Sequence, residues 1–427
     1  MAKLQPVRGM RDFLSTDAKK LRYVEQIAKD VARLYGFEEV ITPLLEHFDL
    51  LAAKSGEEIR ARMYAFRDLG GRKVALRPEF TASIARLIVT TLRNKPKPLR
   101  LFSTGTLYRY DEPQFGRYRE FWQSNFEVVG SSRPEADAEI LSLTHHFMQK
   151  LGLRKYWFKI GHVGILRGIL TDERIEEERQ NRVMQLLDAK RWDEALSTVE
   201  QFGASKKSAM VLKAVFKAKG KDSSKVLAQI KKKLKNYDSS VAAVENLQQI
   251  LELCEESNLK FNTLIEPGFA RGLEYYTGMI FEQIAPEMEI SIGGGGRYDK
   301  LAELFGGKST PAVGVAHGLD RIVLAMDKQS TTPEFSKQVV AIIPISDDVI
   351  PRAMQLALQL RKEGIVVELE VMGRKVARAL QDANRRKVTH AIIIGPKEIE
   401  KGKVTLRNMR NHQQQLLDIE KLFEALS

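Results

Sequence analysis

One short stretch of this chain concentrates arginine, tyrosine and glycine in a way that suggests chemistry. Arg271-Gly272-Leu273-Glu274-Tyr275-Tyr276-Thr277-Gly278 is followed by Gly293-Gly294-Gly295-Gly296-Arg297-Tyr298-Asp299. Consecutive glycines cost backbone entropy and weaken strands, so a strand-rich segment needs a reason to keep them. Close approach of the backbone to a bound ligand is such a reason. Arg271 offers a fixed positive fork for a phosphate or carboxylate, and the adjacent tyrosines offer walls with polar tips. The alternative is a bulged β-hairpin whose tyrosines are satisfied in a core.

A second constellation surrounds one turn. Tyr108-Arg109-Tyr110-Asp111-Glu112-Pro113-Gln114-Phe115-Gly116-Arg117-Tyr118-Arg119 carries three arginines. Alternation from Arg117 puts Arg119, Phe121 and Gln123 on one face, continued by Asn125 and Glu127. Such a face is expensive to bury without a ligand, and the competing reading is a solvent-exposed sheet face. Arg77-Pro78-Glu79-Phe80-Thr81 adds a carboxylate and a hydroxyl at a loop-to-helix junction, which alone is no more than an N-cap. His145 and His146 are adjacent on a predicted helix and so do not face one metal site. Cys254 reads as a small buried hydrophobe.

The elements that must position these residues follow from spacing. Leu21, Val24, Ala28, Val31 and Leu34 recur at helical intervals and stop before Gly36, and Phe37 to Pro43 reads as a short strand. A helix is predicted over Thr81 to Leu92, with Pro96-Lys97-Pro98 marking the turn after it. Leu99–Arg109 and Tyr118–Val129 suit a long antiparallel hairpin, followed by a helix through Ala138, Leu141, Phe147 and Leu151 and a strand at Tyr156–Ile160. From 171 to 257 strand signals vanish and helix-favouring residues take over, so this segment reads as a helical insertion. Its lysines (Lys206, Lys207, Lys213, Lys217, Lys219, Lys221, Lys225, Lys231, Lys232, Lys233 and Lys235) fit either a solvated helical face or a polyanion-binding surface. Gln329 to Pro333 is a polar linker. Beyond it, strands at Val339–Pro344, Ile365–Leu369, His390–Ile394 and Val404–Leu406 alternate with helices, as in a small α/β domain on a largely parallel or mixed sheet.

Composition sets outer limits. A chain of 427 residues with 43% hydrophobic and 29% charged residues is an ordinary globular protein of two or three domains. No run approaches the roughly 18 apolar residues that span a bilayer, and the first residues lack a signal-peptide core. A single cysteine excludes an internal disulfide framework and a cysteine-built metal site, so the cytoplasm is the expected compartment. The formal charge of +13 favours a polyanionic partner, nucleic acid first.

Five stretches together resemble the signature elements of the class II aminoacyl-tRNA synthetases, and specifically the histidyl-tRNA synthetase family. Tyr35 to Glu46, with Pro43, resembles the dimer-interface motif, and Tyr108-Arg109 through Glu127 resembles the hairpin that holds ATP and the amino acid. Gly314-Val315-Ala316-His317-Gly318-Leu319-Asp320-Arg321 resembles the third motif, whose arginine stacks on adenine. The Arg271 and Gly293 segments resemble signatures peculiar to the histidine enzymes. The similarity extends over essentially the whole chain. Departures are Glu274 for the usual aspartate, Phe80 for a frequent glycine and Trp122 for a common histidine.

The resemblance implies an α+β catalytic domain on an antiparallel sheet over 1–328, with 171–257 inserted in it, and an anticodon-binding α/β domain over 334–427. It implies ATP-dependent activation of L-histidine to histidyl-adenylate and transfer to the 3′ end of tRNA(His), with ATP and Mg²⁺ required, no metal held by protein ligands, no tightly bound organic cofactor, and a homodimer. By the same resemblance Arg109 and Arg271 clamp the α-phosphate, Arg117 reaches the β- and γ-phosphates, and Phe121 and Arg321 sandwich adenine. Glu79, Thr81 and Gln123 hold the ammonium, Glu127 and Tyr276 bind the imidazole, and Tyr275 lines the pocket. His317 is structural or near adenine. Arg374, Lys375, Arg378, Arg385, Arg386 and Lys387 are the expected tRNA-contacting cluster. The main rival is a synthetase-like regulatory subunit of ATP phosphoribosyltransferase, a class that typically lacks the anticodon domain and loses the catalytic arginine and tyrosines. A synthetase for another amino acid conflicts with the Arg271 and Gly293 signatures.

Overall fold

In the first long helix, Ser15–Leu34, the predicted periodic positions Leu21, Val24, Ala28 and Val31 are buried while Leu34 is exposed, and the helix ends before Gly36 at φ +70°. The computed structural model describes residues 4–54, 57–189, 191–269, 275–288, 290–335 and 338–426. It divides into two units, Met1–Pro333 and Glu334–Ser427. The first contains β1 (Glu38–Glu39), β2 (Leu45–His47), β3 (Ala65–Arg67), β4 (Lys73–Leu76), β5 (Leu99–Tyr108), β6 (Glu120–Val129), β7 (Trp157–His162), β8 (Thr263–Ile265), β9 (Met279–Ile284), β10 (Gly293–Arg297) and β11 (Ala312–Gly318).

Eight of these form one sheet in the order β1-β5-β6-β11-β10-β9-β7-β8, and β2-β4-β3 form a small second sheet. From β5 to β7 every neighbour in the large sheet is antiparallel. The outer pairs β1/β5 and β7/β8 are parallel. The expected antiparallel sheet is therefore its centre, and the edges are mixed. The hairpin β5/β6 pairs from Leu99↔Val129 to Tyr108↔Glu120. Helices Pro134–Lys150 and Leu319–Gln329 contribute Ile140, Leu141, Phe147, Ile322 and Met326 to a single core with Phe102, Phe126 and Phe281 of the sheet.

Several predicted boundaries shift. The strand expected over Phe37–Pro43 contracts to β1, which pairs only with Leu101 and Phe102. The helix expected to reach Leu92 ends at Val89. The segment read as helical carries Glu177–Asp188, Trp192–Gln201, Lys206–Lys217, Ser223–Lys233 and Asp238–Glu256. The last packs closely on helix Val163–Asp172: Ser240 Oγ donates to Ile165 O at 2.8 Å, and a β-carbon on Gly168 would collide with Ser240.

In the second unit β12 (Val339–Pro344), β13 (Val366–Leu369), β14 (His390–Ile394), β15 (Lys403–Asn408) and β16 (Gln414–Asp418) lie in the order β13-β12-β14-β15-β16. β12 is parallel to both neighbours, whereas β14/β15 and β15/β16 are antiparallel. Its core includes Val340, Ile342, Leu356, Leu360, Ile392 and Leu406. The strand β16 gave no sequence signal, because its polar Gln414 and Gln415 lie on an exposed edge.

Candidate active site

The glycine run forms a floor. Register places Gly314 between Glu127 of β6 and Gly296 of β10, and Ala316 between Asn125 and Gly294. Gly294 in turn pairs with Glu282 of β9. Directly paired residues share a sheet face, so small residues lie between a polar wall on β6 and a carboxylate on β9. A β-carbon at Gly314 would collide with the Glu127 carboxylate. The glycines therefore make room for other side chains as much as for a ligand.

Glu127 is the centre of the polar wall and is 1% exposed. Its Oε1 accepts from Thr81 Oγ1 at 3.0 Å and from Asn125 Nδ2 at 2.7 Å, and its Oε2 accepts from the Tyr298 hydroxyl. Tyr298 was not foreseen as a site residue. The signal was present: Gly294, Gly296 and Tyr298 alternate along one face of β10 and its continuation, while Arg297 points to the opposite side. There Arg297 bonds the buried Asp137 and donates to Ser131 O at 2.8 Å, anchoring the strand from behind. Tyr275 stacks obliquely on Tyr276 at 4.8 Å between ring centroids and meets Tyr298 edge-on at 5.7 Å. Burial pushes the Tyr275 and Tyr298 phenols well above their ordinary range, and nearby carboxylates reinforce this, so both stay protonated donors.

Glu79 has a structural task as well: its Oε1 accepts from Ala82 N at 3.0 Å and caps the helix Thr81–Val89. The hairpin supplies the cations. Arg109 Nε donates to Pro78 O at 2.9 Å, with its guanidinium 5.3 Å from the Phe121 ring centre. Arg117 lies 3.9 Å from Asp111, which also pairs with Arg62 at 3.2 Å. Arg321 reaches across from helix Leu319–Gln329, donating to Gly116 O at 2.9 Å and Ser291 O at 2.8 Å. Arg119, expected on the Phe121 face, instead donates to Asp111 O at 3.1 Å and stacks on Tyr110. Its backbone still continues the hairpin ladder, accepting from Arg109 N at 2.9 Å, but its side chain does not border the cavity.

These pieces border one cavity of about 380 Å³. Glu79, Thr81, Arg109, Arg117, Phe121, Gln123, Glu127, Tyr275, Tyr276 and Arg321 all line it. Arg271, with Gly272, Leu273 and Glu274, lies outside the described residues. Among the described residues no group of three or more His, Cys, Asp or Glu side chains could hold a metal ion. Magnesium commonly binds through one or two carboxylates together with substrate phosphates. Asp111, Asp188 and Glu282 on the cavity wall suit that shared mode.

The other polar candidates are structural. His317 is fully buried between Phe126 and Phe147, on the face of β11 away from the cavity, and burial pulls its pKa down to about 3. His145 Nδ1 pairs with the Tyr156 hydroxyl at 2.8 Å. Cys254 is buried, and burial lifts its thiol to about 11.

In the second unit the basic cluster divides. Arg374 pairs with Glu370 at 3.1 Å and Asp382 at 3.3 Å, and Arg386 pairs with Asp382 and Glu368. Lys375, Arg378, Arg385 and Lys387 are exposed and make no ion pair among the described residues. Val371 and Met372 are exposed beside them.

Comparisons with known proteins match both units. Residues 9–322 match the family model described as histidyl-tRNA synthetase, and 339–427 match an anticodon binding domain. The histidine–tRNA ligase of Methanocaldococcus jannaschii is 41% identical over 420 residues, covering 98% of each chain. That of Saccharolobus solfataricus is 39% identical, covering 100% of this chain and 99% of the relative. The crystal structure of apo histidyl-tRNA synthetase from S. aureus superposes with a TM-score of 0.70 at 25% identity, covering 99% of this chain and 100% of that one.

Proposed function

The chain belongs to the histidyl-tRNA synthetase family, and from that premise we propose that it activates L-histidine with ATP and transfers it to the 3′ end of tRNA(His). It is an aminoacyl-tRNA synthetase of class II. One observation carries the assignment of the site: the hairpin arginines and the Glu127–Tyr298 pair border the same cavity over a glycine floor. In the first step an oxygen of the histidine carboxylate attacks the α-phosphorus of ATP, and the bond to the departing pyrophosphate breaks. Such a transfer needs positioning and neutralisation of charge more than proton-transfer groups. Arg109 sits beside Phe121 for the α-phosphate and the adenine face, and Arg117 at the turn serves the outer phosphates. Arg271 clamps the α-phosphate from the opposite side by resemblance alone. Magnesium would neutralise the triphosphate, with Asp111, Asp188 or Glu282 sharing its ligation.

Arg321 closes the adenine end, its guanidinium plane already fixed by two carbonyls. Glu79, Thr81 and Gln123 hold the substrate ammonium. Glu127 and Tyr276 hold the imidazole, with Tyr275 as a wall and Tyr298 as a donor that orients the carboxylate. A carboxylate and phenols suit a ring whose two nitrogens differ in protonation.

We assign 1–328 to catalysis, with 171–257 as its helical insertion, and 334–427 to the tRNA anticodon region. Lys375, Arg378 and Arg385 serve as phosphate contacts there, while Arg374 and Arg386 hold local structure. The exposed Leu34, Ile41, Leu44 and Leu45 support homodimer formation through the first motif. A cytoplasmic location fits this role. Among the described residues no helix is long and apolar enough to cross a membrane.

A regulatory subunit of ATP phosphoribosyltransferase is not favoured, because the ligase relatives match over nearly the full length and the anticodon domain is matched too. Pyrophosphate exchange dependent on added histidine, together with charging of tRNA(His), is the expected result. Exchange driven by another amino acid, or none at all, would refute the reading.

A further inference from the structure

The segment Gly9–Phe13 precedes every motif used so far, yet it is bound both to the hairpin and to the helix that carries Arg321. Gly9 O accepts from Arg119 N at 2.8 Å, at the foot of the hairpin turn. Gly9 has φ +85°, and a β-carbon there would come within 2.7 Å of the Arg119 side chain and 2.9 Å of Pro113. Two residues on, the Arg11 guanidinium lies 3.2 Å from the centre of the Tyr118 ring and 4.7 Å from that of Phe13. The same guanidinium donates to Asp320 Oδ1.

Asp320 is the junction. Its side chain is 3% exposed, and its Oδ2 accepts from Trp122 N of β6 at 2.6 Å. The next residue in the same helix is Arg321, whose guanidinium reaches back to Gly116 in the hairpin turn. One buried carboxylate thus connects three bodies: the N-terminal segment, the second strand of the hairpin and the helix that carries Arg321. A buried carboxylate stripped of its cation is costly, so Arg11 is required for the junction to hold its shape. Planarity matters as well, since Arg11 stacks on Tyr118 and bonds Asp320 at once, which a lysine ammonium does poorly. Arg11 does not border the cavity.

We propose that Gly9–Phe13 is a strap that sets the hairpin against the Arg321 helix, and that Arg11 is a positioning residue for ATP acting through Asp320 and Tyr118. The inference rests on the reading of the hairpin as the ATP-holding element. The histidine half is held by a separate set of bonds, in which Glu127 accepts from Thr81, Asn125 and Tyr298.

The test is pyrophosphate exchange with ATP and histidine varied independently in Arg11→Ala, Arg11→Lys and Arg117→Ala proteins. Arg11→Ala should raise the KM for ATP about tenfold, on the scale of one lost buried charge contact, with the KM for histidine within about twofold. Arg11→Lys should recover part of the loss, and it carries the test if the alanine variant does not fold. A folded Arg11 variant that raises both KM values equally, or leaves both unchanged while Arg117→Ala raises that for ATP, overturns the strap and leaves the ATP reading standing. If Arg117→Ala also leaves the KM for ATP unchanged, the ATP reading falls and the strap with it.

Discussion

The cavity in the first unit and the basic cluster in the second both present cations to anions, but under opposite conditions. Around the cavity, Arg109 and Arg321 are already fixed by backbone carbonyls, and Glu127 is met by Thr81, Asn125 and Tyr298 before any ligand arrives. In the second unit Lys375, Arg378 and Arg385 extend into solvent. Buried, preorganised groups have borne their desolvation and ordering costs during folding, so they act at short range and are screened little by salt. Exposed cations act mainly by releasing counterions, which makes their effect additive and salt-sensitive. Activation should therefore depend on individual atoms, and tRNA binding on accumulated charge.

The most severe way to probe that contrast is to remove one side of it. A chain ending near Ser330 should exchange pyrophosphate yet charge tRNA very poorly. Nearly full charging by a well-folded truncated protein would refute the anticodon assignment. In the intact enzyme, rising salt should depress charging more steeply than histidine activation, and parallel slopes would erase the distinction.

Within the site, Arg271→Ala should lower histidine-dependent exchange on the order of a hundredfold or more, comparable to losing one preorganised donor. Near-normal exchange in a folded variant would remove Arg271 from the mechanism. Glu127→Ala should raise the KM for histidine by on the order of tenfold with ATP affinity little changed, because it strands donors in a buried place. It should also lower Tm, since Thr81, Asn125 and Tyr298 lose their acceptor together. Equal losses for both substrates would make Glu127 purely structural.

Single changes in the basic cluster should be milder. Arg378→Ala should weaken tRNA binding severalfold and reduce the salt slope by about one, with stability unchanged. Arg374→Ala should instead lower Tm, because it leaves Glu370 and Asp382 without their shared cation. The reverse pattern would invert the division drawn between the two arginines.

The smallest expected effect is a pH dependence of stability. His162 and His317 are buried and neutral, with pKa values pulled down by burial to about 4 and about 3 from 6.5. The unfolded chain takes up protons at these positions first as pH falls. Their contribution is full above about pH 6.5 and is lost as pH drops toward the folded values. His317→Phe should flatten the decline of Tm between pH 6.5 and 4, and an unchanged slope would place the acid sensitivity elsewhere.

Much of this arrangement was legible beforehand. The hairpin β5/β6 could be read from two apolar runs around a polar turn, and it formed with one register over its full length. Ten residues named beforehand as substrate contacts line one cavity. The role of Tyr298 was not foreseen, because nothing local shows that a tyrosine after a glycine run will meet a carboxylate on another strand. Arg119 was read as part of the ligand face, but its guanidinium is held by Asp111 O and the Tyr110 ring, a contact nothing local announces. The division of the basic cluster was only partly hidden: Arg374–Glu370 and Arg386–Asp382 are spaced four residues apart, whereas Glu368 meets Arg386 only when β13 and the end of the helix Val376–Arg385 come together.

The sequence by itself determined periodicity, composition and the presence of the motifs, since these depend on neighbours along the chain. It thereby specified the helices, the long hairpin and the residue types available for chemistry. Only the tertiary structure decided which strands adjoin, and so that Gly314 must stay bare beside Glu127 and that Arg11 meets Asp320. The physical reason is that hydrogen bonds, ion pairs and collisions act over a few ångströms of space. Residues 11 and 320, or 127 and 298, share that space only after the sheet has closed.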